Sequence, residues 1–323
     1  MMVGEAATIS ALLPRRAALG LAAAAALGRP ARGAAPVLRL GDQKGGIEAL
    51  LRAAGQLDDL PYKIEIAQFQ AAAPLLEALN AGAVDVAWAG DAPSTFALAN
   101  GTPARIVSAH RSNGAGTAIL VKPESPIRSV ADLKGKSVAT GRGSIGHALV
   151  LSALRSAGLP PNAVHFVFLL PAEAKTALSA GAVDAWCSWG VFIAQAQLVD
   201  KYRVVVDGRD GLLSGLGYLN ALDTAIAGKR EQVADVVRRA ARAARWANGH
   251  VDDYARYWSG LVGVNFDVAK FSFETAPTLP VPIDEAVIAD QQRTADLYTD
   301  AGVINRHIDV RGFFDASFNT ALA

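Results

Sequence analysis

Ala78-Leu79-Asn80-Ala81-Gly82-Ala83-Val84-Asp85 recurs 99 residues later as Ala177-Leu178-Ser179-Ala180-Gly181-Ala182-Val183-Asp184. A second echo pairs Leu38-Arg39-Leu40-Gly41 with Ser137-Val138-Ala139-Thr140-Gly141 at an offset of 100 residues, each followed by a Gly-rich turn. Two echoes at nearly one spacing predict two similar half-structures. Each half reads as an apolar strand, a Gly-rich turn, a helix, a second strand, a second helix and a third strand. Apolar residues three and four apart mark the helices, as at Leu149, Ala153, Leu154 and Ala157, and short apolar runs such as 164–170 mark the strands. Alternation of this kind builds an α/β fold of mainly parallel sheets flanked by helices, with ligand-facing turns at the carboxyl ends of the strands. Two such lobes set face to face enclose a cleft.

A chain of 323 residues that is 51% hydrophobic and 19% charged can bury a core in each lobe. Residues 1–35 stand apart: Arg15-Arg16, the Ala/Leu run 17–27 and the small residues Gly33-Ala34-Ala35 follow the order of an export signal, with cleavage expected near Ala35. The run is too short to span a bilayer, and the paired arginines point to twin-arginine export into the periplasm. Removing this segment takes four arginines and one glutamate from a chain of formal net charge +1, so the mature protein is close to neutral. It has no basic stripe interleaved with aromatics, which argues against nucleic acid as a partner. The single cysteine, Cys187, excludes an internal disulfide and lies in an apolar strand, where a buried inert thiol is expected.

The pattern divides the mature chain into lobe I (36–122 and 218–323) and lobe II (123–217), with two crossings between them. The Pro-bearing segment 122–126 reads as the first crossing, and 215–221 as the strand that returns to lobe I. Beyond it the repeat becomes helical: 230–248 carries Val233, Val236, Val237, Ala240 and Ala244 on one face and arginines on the other, which reads as a solvated face. Further helices are expected at 252–258, 266–273, 284–298 and 311–323, bracing lobe I.

Gly141-Arg142-Gly143-Ser144-Ile145-Gly146 fits the dinucleotide G-x-G-x-x-G pattern after a strand, but no carboxylate stands in 165–170 to hold a ribose. No cofactor is expected, and the five histidines lack metal spacing. What remains is the anion chemistry of unpaired N–H groups at helix N-termini, about 0.3–2 kcal/mol each. Several of them converging on one small oxyanion would make a usable site. The candidate ligand-binding residues are Gln43, Gly45, Gly90, Asp91, Ser144, Ile145, His147, Trp189 and Gly190. Ser144 serves equally as helix cap or hydroxyl donor, Asp91 suits the cap of its own helix, and Trp88 and Trp186 read as core.

The segments 40–45, 76–82 with Val84-Asp85, Gly90-Asp91, Gly143-Ser144 with His147, 171–174, 183–186 and 291–297 together resemble the aliphatic sulfonate-binding proteins of ABC importers. The resemblance spans the mature chain and reaches neighbours that handle taurine, nitrate or thiamine precursors. It implies a two-lobed type II periplasmic binding protein, a Venus flytrap that acts as a monomer. Such a receptor captures an aliphatic or aryl sulfonate, or a similar small anion, and delivers it to a membrane permease without chemistry of its own. It also implies that Gln43, Gly90-Asp91, Ser144 and His147 hold the sulfonate. The family's Trp-Asp-Pro-Tyr is here Trp189-Gly190-Val191-Phe192, and its Ser-rich turn is Gly143-Ser144-Ile145-Gly146-His147, which predicts a more apolar pocket. The alternative is a desulfinase-like or thiamine-pyrimidine-synthase-like enzyme on the same fold, although the sulfinate enzymes place a cysteine where this chain has Gln43-Lys44.

Overall fold

The computed structural model describes residues 37–322, so the export signal expected over 1–35 lies outside the described residues. The duplicated phrase performs one task twice. The backbone N–H of Asp85 donates to the carbonyl of Arg39, and the Asp85 carboxylate accepts the N–H of Arg39 at 2.7 Å. Asp184 exchanges the same pair of bonds with Ser137, its carboxylate accepting the Ser137 N–H at 2.8 Å. The glycine three residues before each aspartate adopts a left-handed conformation, φ +72° at Gly82 and +74° at Gly181. A residue without a Cβ ends the helix there and turns the chain back to the sheet.

The elements of the first half are β1 (Val37–Gln43), α1 (Ile47–Ala53), β2 (Lys63–Phe69), α2 (Ala72–Asn80), β3 (Val86–Gly90), α3 (Asp91–Ala99) and β4 (Ala104–Arg111). Then come β5 (Thr117–Val121), β6 (Ser137–Thr140), α4 (Ile145–Ser156), β7 (His165–Phe168), α5 (Pro171–Ala180), β8 (Ala185–Trp189), α6 (Val191–Leu198) and β9 (Arg203–Asp207). The chain ends with β10 (Leu216–Leu222), α7 (Asp223–Gly228), α8 (Arg230–Gly249), α9 (Val251–Val262), α10 (Phe266–Thr275), β11 (Leu279–Val281) and α11 (Glu285–Asp300). The first sheet has the order β11-β4-β10-β3-β1-β2 and the second β7-β6-β8-β5-β9. In each, the central strand pairs in parallel with its two neighbours, Leu40 opposite Val86 and Val138 opposite Ala185. An antiparallel strand follows in both, β10 beside β3 and β5 beside β8. That strand arrives in each case from the other sheet, and so it enters from the opposite end. Both sheets are therefore mixed, with the remaining strands of the repeat running one way.

Strand β5 was expected in lobe I but pairs with β8 and β9 in the second sheet. The first crossing is accordingly 112–116 and not 122–126. The Pro-bearing segment instead folds onto the second sheet, where the Arg203 guanidinium donates to the carbonyls of Ser125 and Ile127 at 2.9 Å each. The two crossings run side by side: Ser112 N–H donates to Gly215 O at 2.8 Å, and Gly208 N–H to Thr117 O at 2.9 Å.

Each sheet has its own core, with Leu38, Leu40, Leu75 and Val86 in the first and Ile119, Val138, Leu149 and Cys187 in the second. A third cluster joins them through Ala92 of α3, Ala148 and Leu151 of α4 and Tyr298 of α11. Helix α8 buries Val233, Val236, Val237 and Ala240 against the first sheet, as its periodicity requires. The expected terminal helix at 311–323 is two 3₁₀ turns, Val310–Phe313 and Ala316–Leu322. Among the described residues no helix is long and apolar enough to cross a membrane.

Candidate functional site

A cavity of about 750 Å³ lies at the carboxyl ends of the parallel strands of both sheets. The first sheet supplies Gln43 at the end of β1, Trp88 and Gly90 at the end of β3, and Pro93 and Phe96 from α3. The second supplies the turn Gly141–Ile145, Phe168 at the end of β7 with Leu169 to Pro171 after it, and Trp189 at the end of β8. This is where open α/β sheets bind ligands, because the turns there present helix N-termini and unpaired N–H groups.

Five of the nine expected residues, Gln43, Gly90, Ser144, Ile145 and Trp189, line this one cavity. Ser144 caps α4, its hydroxyl accepting the His147 N–H at 3.2 Å, and also faces the ligand space, so both roles foreseen for it are open together. The Ser144 carbonyl accepts the Tyr298 hydroxyl at 2.9 Å, which ties the capping turn to α11. The two lobes touch beside the cavity: a Cβ on Gly143 would meet the Phe96 ring at 2.9 Å, and one on Gly90 would meet Ile145 at 3.7 Å.

The other four stand off the wall. Gly45 borders a second cavity of about 190 Å³, and its carbonyl accepts Trp258 Nε1–H at 2.6 Å. Gly190 lies behind Trp189, donating to Gly116 O at 2.8 Å with φ +59°. Asp91 is 1% exposed and points into the protein, where its carboxylate accepts from Ala92 N–H at 2.7 Å, Ser214 Oγ and Thr294 Oγ1 at 3.1 Å. Burial raises its pKa against these donors. Asp91 thus fastens α3 to the second crossing and to α11 rather than facing an anion. Gln291, from one of the segments that carried the resemblance, completes this joint by accepting the Tyr218 hydroxyl at 2.7 Å and donating to the Asp91 carbonyl at 3.2 Å.

His147 is 2% exposed, packed edge-on against Phe166 and Phe168 with ring centroids 4.7 and 5.2 Å away. Its Nδ1 accepts the Gly143 N–H at 3.2 Å, so the ring shapes the Gly-rich turn from behind. Burial, and secondarily the charge of Arg142, lowers its pKa to about 4. Because the unfolded imidazole titrates near 6.5, stability from this site is complete above pH 6.5 and is lost as pH falls through about 4. The expected result is that the Tm gap between wild type and His147→Gln, which keeps an acceptor for Gly143, is constant from about pH 7.5 to 6.5 and narrows from there to about pH 4.5 in thermal melts. A gap that does not change with pH would contradict a neutral, accepting His147.

Sequence reasoning missed Phe96, Phe168, Arg142 and Trp88, all on the cavity wall. Trp88 read as core, yet it stands between the two cavities with its ring edge-on to His110, centroids 4.8 Å apart. Phe168 sits 99 residues after Phe69, so the repeat itself marked a strand end there. Trp186 and Cys187 are core as expected, 0% and 1% exposed, and burial pushes the Cys187 thiol well above its ordinary range. Among the described residues no group of three or more His, Cys, Asp or Glu is placed to hold a metal ion.

The periplasmic aliphatic sulphonate binding protein SsuA from Escherichia coli is 32% identical, with 86% of this chain and 97% of that chain covered and a TM-score of 0.77. The alkanesulfonate-binding protein SsuA from Xanthomonas axonopodis pv. citri, solved bound to MOPS, is 31% identical over 87% of this chain and 99% of its own, with a TM-score of 0.78. The desulfurization enzyme DSZB shares the fold at 17% identity and a TM-score of 0.61, covering 88% of this chain and 98% of that one. The profile of the family described as NMT1/THI5 like matches residues 62–250, more than half of the chain. Two congruent sheets joined by paired crossings, with one cavity at their strand ends, are the two-lobed periplasmic binding protein fold, and the chain belongs to the NMT1/THI5-like family.

Proposed function

We propose that the protein is the periplasmic solute-binding receptor of an ABC importer and that it captures a sulfonate with an apolar tail between its lobes. The observation that carries this reading is that Gln43 of one sheet and Ser144 of the other line a single cavity, whose wall is otherwise built largely of Leu76, Trp88, Phe96, Ile145, Phe168, Leu169 and Trp189. The N-terminus of α4 and the Gln43 amide suit a small oxyanion, and the aromatic and aliphatic side chains suit its tail. The sulfonate ligands of the Escherichia coli and Xanthomonas proteins support the same class. Lobe I then comprises 37–111 together with 216–322, lobe II comprises 117–207, and the segments between them are the hinge. Ligand touching both lobes favours the closed form by its difference in affinity for closed and open states. Export through the twin-arginine pair Arg15-Arg16, action as a monomer and delivery to a membrane permease belong to the same proposal. A thiol nucleophile in the manner of a desulfinase finds no counterpart at the cleft, since Cys187 is buried in the second core.

A buried methylene contributes about 0.8 kcal/mol. Hexane-1-sulfonate is therefore expected to bind roughly ten- to a hundredfold more tightly than taurine in calorimetry, after allowance for an ordered tail. Tighter binding of taurine, or binding of nitrate or a pyrimidine in preference to every sulfonate, would overturn the ligand class.

A further inference from the structure

Arg142 occupies the Gly-rich turn between β6 and α4, is exposed, and lines the cavity. Its guanidinium lies over the Phe168 ring, 4.1 Å from the centroid. Phe168 is itself stacked on Phe166, centroids 5.7 Å apart and planes within 3°, and His147 closes edge-on against both rings. The guanidinium therefore rests on a buttressed aromatic face. A guanidinium held in this way keeps its N–H donors available for an oxyanion, because the ring engages its face and not its edge.

Among the described residues Arg142 has no hydrogen-bond or ion-pair partner, only the ring beneath it. The other ionised side chains on the cavity wall are Glu77 and Glu173, and Glu173 accepts the Leu170 N–H at 3.1 Å. With Arg142 the wall sets one cation against two carboxylates. Without it, an anionic ligand would meet only repulsion from the charged side chains and would rest on the neutral donors, the Gln43 amide, the Ser144 hydroxyl and the helix N-terminus.

We propose that Arg142 is the counter-charge of the anion site, held on Phe168 so that its donors serve a ligand oxyanion, and that it makes the cavity prefer an ionised sulfonate to an uncharged group of the same shape. The assignment rests on the receptor reading above and names the residue that enforces it. Charge-assisted hydrogen bonds of this kind are worth roughly ten- to a hundredfold in affinity.

The test is calorimetry of the mature protein with hexane-1-sulfonate and with hexane-1-sulfonamide, its neutral isostere, from low to moderate salt. Arg142→Gln is expected to weaken the sulfonate by roughly ten- to a hundredfold, to leave the sulfonamide within about threefold, and to flatten the salt dependence. Arg142→Lys keeps the charge without the fork and should fall between. If the wild type binds the sulfonate and Arg142→Gln leaves its affinity unchanged, or weakens both ligands equally, the assignment to Arg142 is wrong while the receptor reading stands. If the wild type binds no sulfonate at all, the receptor reading falls and takes this assignment with it.

Discussion

Asp85→Ala is expected to cost about 2–4 kcal/mol of stability, against about 0.5–1.5 kcal/mol for Asp184→Ala, although the two residues are the same letter of a duplicated phrase. Both carboxylates hold the backbone of the first strand in their sheet. Asp85 does more. It is 3% exposed, accepts Arg39 Nη2–H at 2.6 Å and Lys229 Nζ–H at 2.6 Å, and so joins β1, β3 and the turn that starts α8. Asp184 adds only the Ser137 hydroxyl, at 2.7 Å. Removing the Asp85 carboxylate leaves two cations facing one another with their partner gone, softened by their partial exposure to water.

The acid limb follows from the same contacts. Burial opposes ionisation of Asp85, but the bonds from Arg39 and Lys229 outweigh it and hold its pKa below the usual carboxylate range. Its contribution is therefore complete above about pH 4 and lost as pH falls through the lower folded value. Urea melts at pH 7 and at about pH 2.5 check both statements: the deficit of Asp85→Ala should be the larger of the two at pH 7 and should shrink in acid, below the unfolded carboxylate value. Equal deficits for the two aspartates would show that the ion pairs contribute nothing beyond the shared backbone bonds.

The repeat made the topology legible because a strand, its Gly turn and its helix are local patterns, and duplication repeats them in order. Sheet membership was another matter. An apolar run such as 117–121 has the same alternation whichever sheet accepts it, so its partner is decided by where the preceding loop can reach. The informative signal for the crossing was the glycines at 114, 116, 208, 211 and 215, not the prolines near 125. Helix α6 escaped notice because Val191-Phe192-Ile193 leaves no clear polar stripe, and β11 because three residues carry almost no periodicity. At the site, the strand-end turns announced Gln43, Gly90 and Ser144, but not the rotation of the helices that follow. Two residues along a helix is about 200° around it. Ile145 therefore faces the cavity, while His147 faces the aromatic core behind it.

The second large effect is expected where the crossings touch. Gly215 has φ +70°, and a methyl group there would overlap the carbonyl oxygen of Ser112, whose N–H donates to Gly215 O. Gly211 lies in the same crossing with φ +79°, but a methyl group on it would meet nothing within 4 Å. Alanine at Gly211 therefore bears only the left-handed conformation, about 1–2 kcal/mol. Alanine at Gly215 bears that and the overlap, a further 1–3 kcal/mol or so. The excess should also appear in binding, because separating the two crossings alters the distance and angle between the lobes, and a ligand held by both must then distort the hinge to close it. Gly215→Ala is thus expected to lower Tm by several degrees more than Gly211→Ala and to weaken hexane-1-sulfonate about tenfold or more, while Gly211→Ala binds as the wild type does. If both variants melt together and bind alike, the paired crossings are a passive tether, and closure must be governed by the contact of Gly143 with Phe96 at the cavity's edge.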